Sequence, residues 1–436
     1  MLALATQGDS SERAAASTST TSTSAAPSTT STPAAPSTTS DVEAPVSVPI
    51  SEEPVAPSGV WELVGSGING FLELDEFGQA AVAVSADGQT VATGTRTYEV
   101  EEVRVFRWSE DGWQQRGSSI RLERDPRGVG AALDFYSLSV ELSADGDTAA
   151  VLSPAVGIAR VFEFVDGDWV QLGEDLRDPY TSRSTGAAVA LSGDGETVVL
   201  STPLNFRVRA FRFDGTDWVQ VGDEIGRGGD FRELLDVSFD GDTFAIGVGV
   251  NLVVVARFDG SEWSSQAVAG SGRSSLGGIA LSADGDTLVV SGPNLREEDQ
   301  LGHVRVWRFD GADWVQLGTD IIGETLDDAF GASVAASADG ETVVVGAPGF
   351  RLVSGNFGGT RPVVGYPGIP SLVRVFRFDG SDWQQLGSDI NSWMDGERFG
   401  VFLGTSADGE TVAVSAPGFG TRNIGQLRVF QLEQER

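Results

Sequence analysis

The feature that most constrains the fold is one phrase that returns along the chain from about residue 60 onward. It is clearest in FGASVAASADGETVVVGAP, which begins at Phe330, and in LVRVFRFDGSDWQQLGSDI, which follows. Each copy has two apolar runs joined by an Asp-Gly turn, then a VRVFRF-like run and a second turn that leads to a tryptophan. An Asp-Gly pair between alternating apolar runs is a strong hairpin signal, because glycine accepts the positive φ of a tight turn. Each copy therefore predicts four antiparallel strands.

Two markers count the copies independently. The first turn occurs seven times, at Gly88, Gly146, Gly195, Gly241, Gly285, Gly340 and Gly409. The tryptophan that opens the fourth strand also occurs seven times, at Trp61, Trp113, Trp169, Trp218, Trp263, Trp314 and Trp383. The two series are out of phase, because one tryptophan precedes every hairpin and the last copy ends without a fourth strand of its own.

An orphan leading strand and a three-stranded final copy are what a closed ring requires. We expect Trp61–Ile68 to pair with the blade that begins at Phe399, which would remove the exposed sheet edges that an open array leaves. The repeat spacing fits four-stranded blades, and no run shows a sustained helical period. The sequence thus predicts an all-β domain at residues 60–436: a seven-bladed β-propeller of four-stranded antiparallel blades, closed by its N-terminal strand.

Two short motifs recur in the repeat. A Phe-Gly pair occurs at Phe77-Gly78, Phe330-Gly331 and Phe399-Gly400, and a small-small-Pro triplet at Gly346-Ala347-Pro348, Ser415-Ala416-Pro417 and Ser291-Gly292-Pro293. These motifs resemble the FG and GAP elements of the FG-GAP family, which includes the head domains of integrin α-subunits. The resemblance implies a seven-bladed propeller that serves extracellular recognition or adhesion. The second choice is a WD40 or TolB-like propeller, which predicts nearly the same shape.

No cofactor is predicted. Many FG-GAP blades carry a D-x-D-x-D-G calcium loop between their first two strands, whereas this chain has a short S-A-D-G-D-like turn in that place. Calcium needs six to eight oxygens from a loop long enough to surround it, so it is possible but is not carried over as a prediction. We interpret these aspartates as turn residues that bond their own backbone. The absence of cysteine and the single histidine, His303, leave no usual ligand set for zinc.

Composition argues against several classes of partner. The formal net charge is −34, and all 29 basic residues are arginine. Such a surface should repel nucleic acid, which binds clustered cations. No run approaches the ~18 apolar residues that cross a bilayer, so direct membrane insertion of this chain is not expected. A monomer is expected.

The first 59 residues form a region of their own in composition. They are dominated by Ser, Thr, Ala and Pro, as in STSTTSTSAAPSTTSTPAAPSTTS. Such a segment cannot bury enough apolar surface to fold, so we expect a disordered leader. It is either an O-glycosylated stalk or a plain linker, and the first alternative favours an extracellular or cell-surface location, with a signal or anchor that is not visible in this chain.

The residues that recur in every blade are interpreted as structural. The seven tryptophans are expected to pack between adjacent sheets. An arginine near the start of the third strand recurs, and we expect it to pair with turn carboxylates or stack on aromatic rings; its copies are Arg104, Arg160, Arg209, Arg305, Arg374 and Arg428.

Function is expected where the repeat is broken. The connections between strands two and three and between blades vary, and both kinds emerge on one face; the longest is Gly349–Ser371. Loops on a rigid scaffold commonly carry recognition. The candidate contacts on this face are Phe357, Arg361, Tyr366 and Trp393, and no catalytic or metal-binding residue is predicted.

Two functional hypotheses follow. The first is a non-catalytic extracellular or cell-surface propeller for protein or glycan recognition or adhesion. The alternative is a carboxylate-dependent glycan hydrolase or lyase with a site in the central funnel, which requires two or three unrepeated polar residues to converge there. A purely structural cell-wall component is a third possibility beside the two. The scarcity of unrepeated nucleophiles and bases favours the first.

Overall fold

In the computed structural model, residues 59–433 are described except 71–76, 79, 97–100, 123–137, 154–156, 178–187, 203–206, 227–230, 250, 271–275, 294–300, 327, 350, 355–359, 364–368, 370 and 421–422. Within these residues the secondary structure is entirely β, and it forms seven antiparallel sheets that serve as blades, plus one small hairpin. The predicted leader lies outside the described residues.

The first four blades follow one another along the chain. Blade 1 contains Ala83–Val84, Thr90–Arg96, Glu101–Ser109, Gly112–Gln115 and Ile120–Leu122. Blade 2 contains Ser139–Leu142, Thr148–Ser153, Ile158–Val165, Asp168–Gln171 and Leu176–Arg177. Blade 3 contains Ala188–Leu191, Thr197–Thr202, Arg207–Phe213 and Trp218–Ile225. Blade 4 contains Phe231–Val237, Thr243–Val248, Leu252–Phe258 and Trp263–Ala269.

The last three blades include the closing one. Blade 5 contains Ile279–Leu281, Thr287–Gly292, His303–Phe309, Trp314–Gln316 and Ile321–Ile322. Blade 6 contains Ser333–Ala336, Thr342–Ala347, Leu372–Phe378, Trp383–Gln385 and Ile390–Asn391. Blade 7 contains Leu403–Thr405, Thr411–Ala416, Gln426–Glu433, Val60–Leu63 and Ile68–Asn69.

The predicted closure is confirmed. Val60–Leu63 pairs antiparallel with the end of Gln426–Glu433, with Val60 opposite Glu433, and Ile68–Asn69 pairs with the beginning of the same strand. The fourth strand is more broken than the sequence suggested. In five blades it divides into two short strands that both pair with the third strand, and a glycine of positive φ, such as Gly65 or Gly318, lies between them.

The first strands surround the axis of the ring. Each contacts the first strand of the next blade, and the first strand of blade 7 contacts that of blade 1. Seven backbone hydrogen bonds of 2.8–3.0 Å join successive hairpin turns in a closed circuit. The amide donors and carbonyl acceptors are Ala86 to Ala144, Ala144 to Gly193, Asp194 to Phe239, Phe239 to Ala283, Ala283 to Ala338, Ala338 to Ala407, and Ala407 to Ala86.

Each hairpin turn is held by its own serine and aspartate, as predicted for the turn carboxylates. In blade 1, Ser85 Oγ donates to Asp87 Oδ1 at 2.6 Å, and the same carboxylate oxygen accepts the amide of Gln89 at 2.9 Å. The amide of Thr90 donates to Ser85 Oγ at 2.9 Å. Because these bonds use the aspartate within its own turn, the side chain satisfies local backbone donors and builds the hairpin.

The core consists of apolar layers between adjacent blades. Between blades 6 and 7, for example, Val344 and Val375 pack against Val412 and Val414. Each such fully buried aliphatic side chain contributes roughly 1.5–3 kcal/mol.

The recurring tryptophans reinforce these layers by a specific bond, which confirms their predicted place between sheets. In six blades the indole Nε1 donates at 2.8–3.0 Å to a backbone carbonyl on the fourth strand of the preceding blade. The pairs are Trp61 to Leu386, Trp113 to Val64, Trp169 to Arg116, Trp218 to Leu172, Trp263 to Val221 and Trp383 to Leu317. The first pair spans the junction at which the ring closes.

Candidate recognition site on the loop face

The antiparallel order of the blades separates two faces of the ring. The hairpin face carries the turns between strands one and two and between strands three and four. The loop face carries the connections between strands two and three and between successive blades. The predicted separation of a stereotyped face from a variable one is therefore a consequence of the observed topology.

The recurring arginines lie near the loop face, where the third strand of each blade begins. In blades 2, 5 and 6 the guanidinium Nε donates to an aspartate between the two halves of the fourth strand of the same blade, at 2.6–2.9 Å. The pairs are Arg160 with Asp175, Arg305 with Asp320, and Arg374 with Asp389. In these three blades the arginine pairs with a carboxylate, as predicted, but this carboxylate comes from the fourth-strand segment and not from the Asp-Gly turns.

Blade 7 departs from this arrangement. The position of the fourth-strand aspartate is occupied by Gly67, and a Cβ there would lie only 2.3 Å from the Nε2 of Gln426. The amide of Gln426 takes that space; its Oε1 accepts the Nε of Arg428 at 2.5 Å, and its Nε2 donates to Asn69 at 2.9 Å. The arginine of blade 7 must therefore find its carboxylate elsewhere.

That carboxylate belongs to Glu397, on the connection from blade 6 to blade 7. Arg428 donates to it through both terminal nitrogens, at 2.9 and 3.0 Å, and the side chains of both residues are 0% exposed. A fully buried ion pair is tolerated only when the geometry is good and the remaining polar atoms are satisfied. Gln426 supplies one further acceptor for the guanidinium, and the amide of Trp393 donates to Glu397 Oε2 at 3.2 Å.

Trp393 covers this ion pair from the loop face. Its ring lies over the guanidinium of Arg428, with the Cζ 3.5 Å from the ring centroid, and the ring of Phe419 lies at a centroid distance of 6.1 Å and an angle of 78° to it. The residue is nevertheless 51% exposed. One face of the indole is held against a buried cation, while much of the remaining surface is open to solvent.

Of the four residues predicted as contacts, the structure describes the environment of one. Trp393 lies on the loop face as expected. Arg361 lies on the strand Thr360–Val363, which pairs with Arg351–Ser354 in a hairpin inside the long insertion of blade 6. Phe357 and Tyr366 lie outside the described residues. Whether the four form one surface therefore stays a prediction.

Sequence reasoning did not select the residues beneath Trp393. Glu397, Phe419 and Gln426 contact Arg428 in the fold, but they lie on three separate segments of the chain. A signal was present: blade 7 lacks the fourth-strand aspartate, so its arginine needed another partner.

A second unrepeated feature lies near the axis. Glu141 and Asp236 each lie two residues before the turn serine of their blade, on the first strands of blades 2 and 4. Burial raises the pKa of Asp236 to about 6, against the opposing effect of amides donated by Leu281 and Val237. Burial also raises the pKa of Glu141 well above its usual range, and the negative charge of Asp236 adds to this. Both carboxyls lie on first strands, which surround the axis.

The described residues contain no group of three or more His, Cys, Asp or Glu side chains close enough to hold a metal ion. In the same part of the chain, no helix has the length and apolar character needed to span a membrane.

The fold and the ring of contacts define the chain, from residue 60 onward, as a seven-bladed β-propeller. No protein-family model matches the chain, and no curated protein matches it either.

Proposed function

We propose that this propeller is a non-catalytic recognition module that binds a protein or a glycan through its loop face, outside the cell or at its surface. The observation that carries the proposal is Trp393, an indole that is half exposed yet fixed over a fully buried ion pair. An exposed aromatic side chain that is already immobilised loses little conformational entropy when a ligand covers it, which favours binding.

Two features of the sequence support the wider setting. The FG and GAP motifs, which carry the likeness to integrin-type adhesion domains, are hydrogen-bonded to each other within a blade. The amide of Gly331 donates to the carbonyl of Gly346, and the amide of Gly400 donates to that of Ser415, both at 3.0 Å. The Ser, Thr and Pro bias of the leader fits a surface stalk. On this basis we propose membership of the FG-GAP group and a role in adhesion.

The test is binding to glycan and protein arrays, with and without calcium, using a matched pair of variants. Trp393→Ala removes the exposed aromatic side chain of the loop face. Phe239→Ala removes an aromatic side chain of similar exposure, 48%, on the hairpin face. Binding that is lost in the first variant and kept in the second supports the proposal, whereas the opposite pattern contradicts it.

The axial carboxyls favour a second candidate, the carboxylate-dependent hydrolase or lyase. Glu141 and Asp236 are unrepeated and interact, and a raised pKa suits a carboxyl for proton transfer near neutral pH. Under this proposal Glu141→Gln abolishes glycan cleavage, while Trp393→Ala only weakens substrate binding. A product analysis of glycan arrays after prolonged incubation distinguishes the two, because a recognition module leaves every glycan intact.

A further inference from the structure

The connection between blades 6 and 7 presents a platform with one open side. Arg428 covers one face of the Trp393 ring at 3.5 Å, the ring of Phe419 lies roughly perpendicular to it, and Trp393 is still 51% exposed. Because the guanidinium occupies one face, so large an exposed fraction indicates that the opposite face is open. We propose that this face binds a neutral sugar ring by stacking, an inference that rests on the proposed function and names its ligand class.

The platform is held in place from below. Arg428 is fixed by both oxygens of Glu397 and by Gln426, and Gln426 is fixed in turn by Asn69 of the closing strand. The rotamer of the indole is thus set before any ligand arrives. A preordered flat surface suits the C–H groups on one face of a pyranose, which pack against aromatic rings without requiring the ring to move.

The charge beneath the ring selects against a cationic ligand. The attraction between a cation and an indole uses the negative potential of the ring face. Here the guanidinium already occupies one face, so the electron density available to a second cation on the other face is reduced. A ligand that presents uncharged C–H groups does not incur this cost.

The charge around the ring selects against an anionic ligand. Asp395 is exposed two residues from Trp393, and the whole chain carries a formal net charge of −34. Sialylated, sulfated or uronic-acid glycans would meet a repulsive field. A neutral hexose or N-acetylhexosamine remains, and the exposed polar side chains of Asn391 and Asp395 can exchange hydrogen bonds with its hydroxyl groups.

The exposed apolar surface on this connection is small. The exposed large hydrophobic side chains on this connection are Trp393 and Met394, and polar residues flank them. A stable protein interface usually buries about 800 Å² on each partner with an apolar centre. One indole with a polar margin is closer in scale to a sugar ring.

Blade 6 provides the variant for the test. At the position that corresponds to Trp393 it has Glu324, which has no aromatic ring and instead forms an ion pair with Arg374 at 2.7 Å. Trp393→Glu therefore gives the connection into blade 7 the residue that the connection into blade 6 has at this position. Trp393→Phe keeps an aromatic cover on Arg428 with a smaller open face, and Glu324→Gln serves as a control on the neighbouring blade. Circular dichroism and thermal unfolding of every variant verify folding.

The experiment measures binding of the full chain to immobilised neutral glycans, sialylated and sulfated glycans, and a protein array. We expect neutral glycans alone to bind, Trp393→Glu to weaken this binding by about tenfold or more, Trp393→Phe to weaken it less, and Glu324→Gln to leave it unchanged.

Three results overturn the inference. If neutral glycans bind folded Trp393→Glu as they bind the native chain, the platform is not the site. If anionic glycans bind preferentially, the ligand class is wrong. If no glycan binds but a protein probe binds in a Trp393-dependent way, the sugar is wrong while the proposed function stands; loss of all binding only in Phe239→Ala contradicts the proposed function itself.

Discussion

The two faces of this ring are made from the same seven blades but follow different rules. On the hairpin face every blade contributes one serine, one aspartate and one glycine in the same geometry, and the turns bond to each other around the axis. On the loop face equivalent positions diverge: Arg374 is paired with a carboxylate that is 68% exposed, whereas Arg428 is sealed beneath an indole. The comparison shows that the residues repeated in every hairpin turn serve closure of the ring. Loop-face positions do not take part in this closure, so their residues can differ from blade to blade and bind different partners.

The largest effect is expected from the buried ion pair of the loop face. Glu397→Gln leaves Arg428 without a balancing charge in a site closed to water, and this should lower the free energy of unfolding by about 3–5 kcal/mol. Glu324→Gln, which removes the exposed carboxylate partner of Arg374 in blade 6, should cost about 1 kcal/mol or less, because that carboxylate is mostly in water. Denaturant unfolding measures both. Equal losses would show that the two arginine sites do not differ as described.

A smaller effect is expected from the hairpin face. Gly340 has a φ of +68°, and a Cβ would lie 2.5 Å from Thr287 of the preceding blade. Gly340→Ala should therefore destabilise by more than the ~1–2 kcal/mol that a positive φ alone costs an L-residue. Gly380→Ala in the second turn of the same blade is the control, since its φ is +97° but nothing lies within 4 Å of its Cβ position. A shift of the unfolding midpoint of the same size in both variants would mean that the contact between blades adds nothing to the destabilisation.

The smallest effect is expected from Asp236, a carboxyl near the hairpin end of the first strand of blade 4. Asp236 has a folded-state pKa of about 6, above the value of about 3.9 expected in the unfolded chain. The folded protein therefore takes up a proton between pH 6 and pH 4 that the unfolded chain does not, and stability should rise relative to Asp236→Asn as the pH falls through this window, by up to about 2 kcal/mol. Protonation of Glu141 is coupled to that of Asp236, because the negative charge of Asp236 raises the pKa of Glu141.

Asp379 should show the opposite dependence of stability on pH. Amides of its own turn lower its pKa to about 2 in the folded protein. The stability that its carboxylate contributes is therefore present above the pKa of the unfolded chain and is lost as the pH falls through the pKa of the folded protein. Unfolding midpoints of Asp236→Asn and Asp379→Asn across pH 3–8 should therefore diverge from the native chain in opposite directions. Parallel curves would contradict the assignment of Asp236.

Sequence alone was sufficient for the fold because its determinants are local and repeated. Each turn and tryptophan specifies one hairpin or one contact between blades, and the phase difference between the two series specified that Val60–Leu63 completes blade 7. The division of the fourth strand was missed, because the glycine four residues after the tryptophan, such as Gly65 or Gly318, does not itself show that pairing stops beside it.

The site was only partly within reach of sequence reasoning. Trp393 could be selected because it interrupts the repeat in a variable connection. Its support could not, since the contacts of Arg428 with Glu397 and Phe419 join segments whose spacing follows no period. The electrostatic influence of Asp236 on Glu141 likewise depends on closure of the ring, which places the first strands of blades 2 and 4 around a common axis.

The pairing of Val60 with Glu433 places the beginning and the end of the ring side by side on adjacent strands. Because the hydrogen-bonded circuit of turns has no privileged starting blade, the chain could be joined at this point and reopened in another connection. Circular permutants cut between blades 2 and 3 should thus fold to the same ring, and would move the attachment point of any tether from the hairpin face to the loop face.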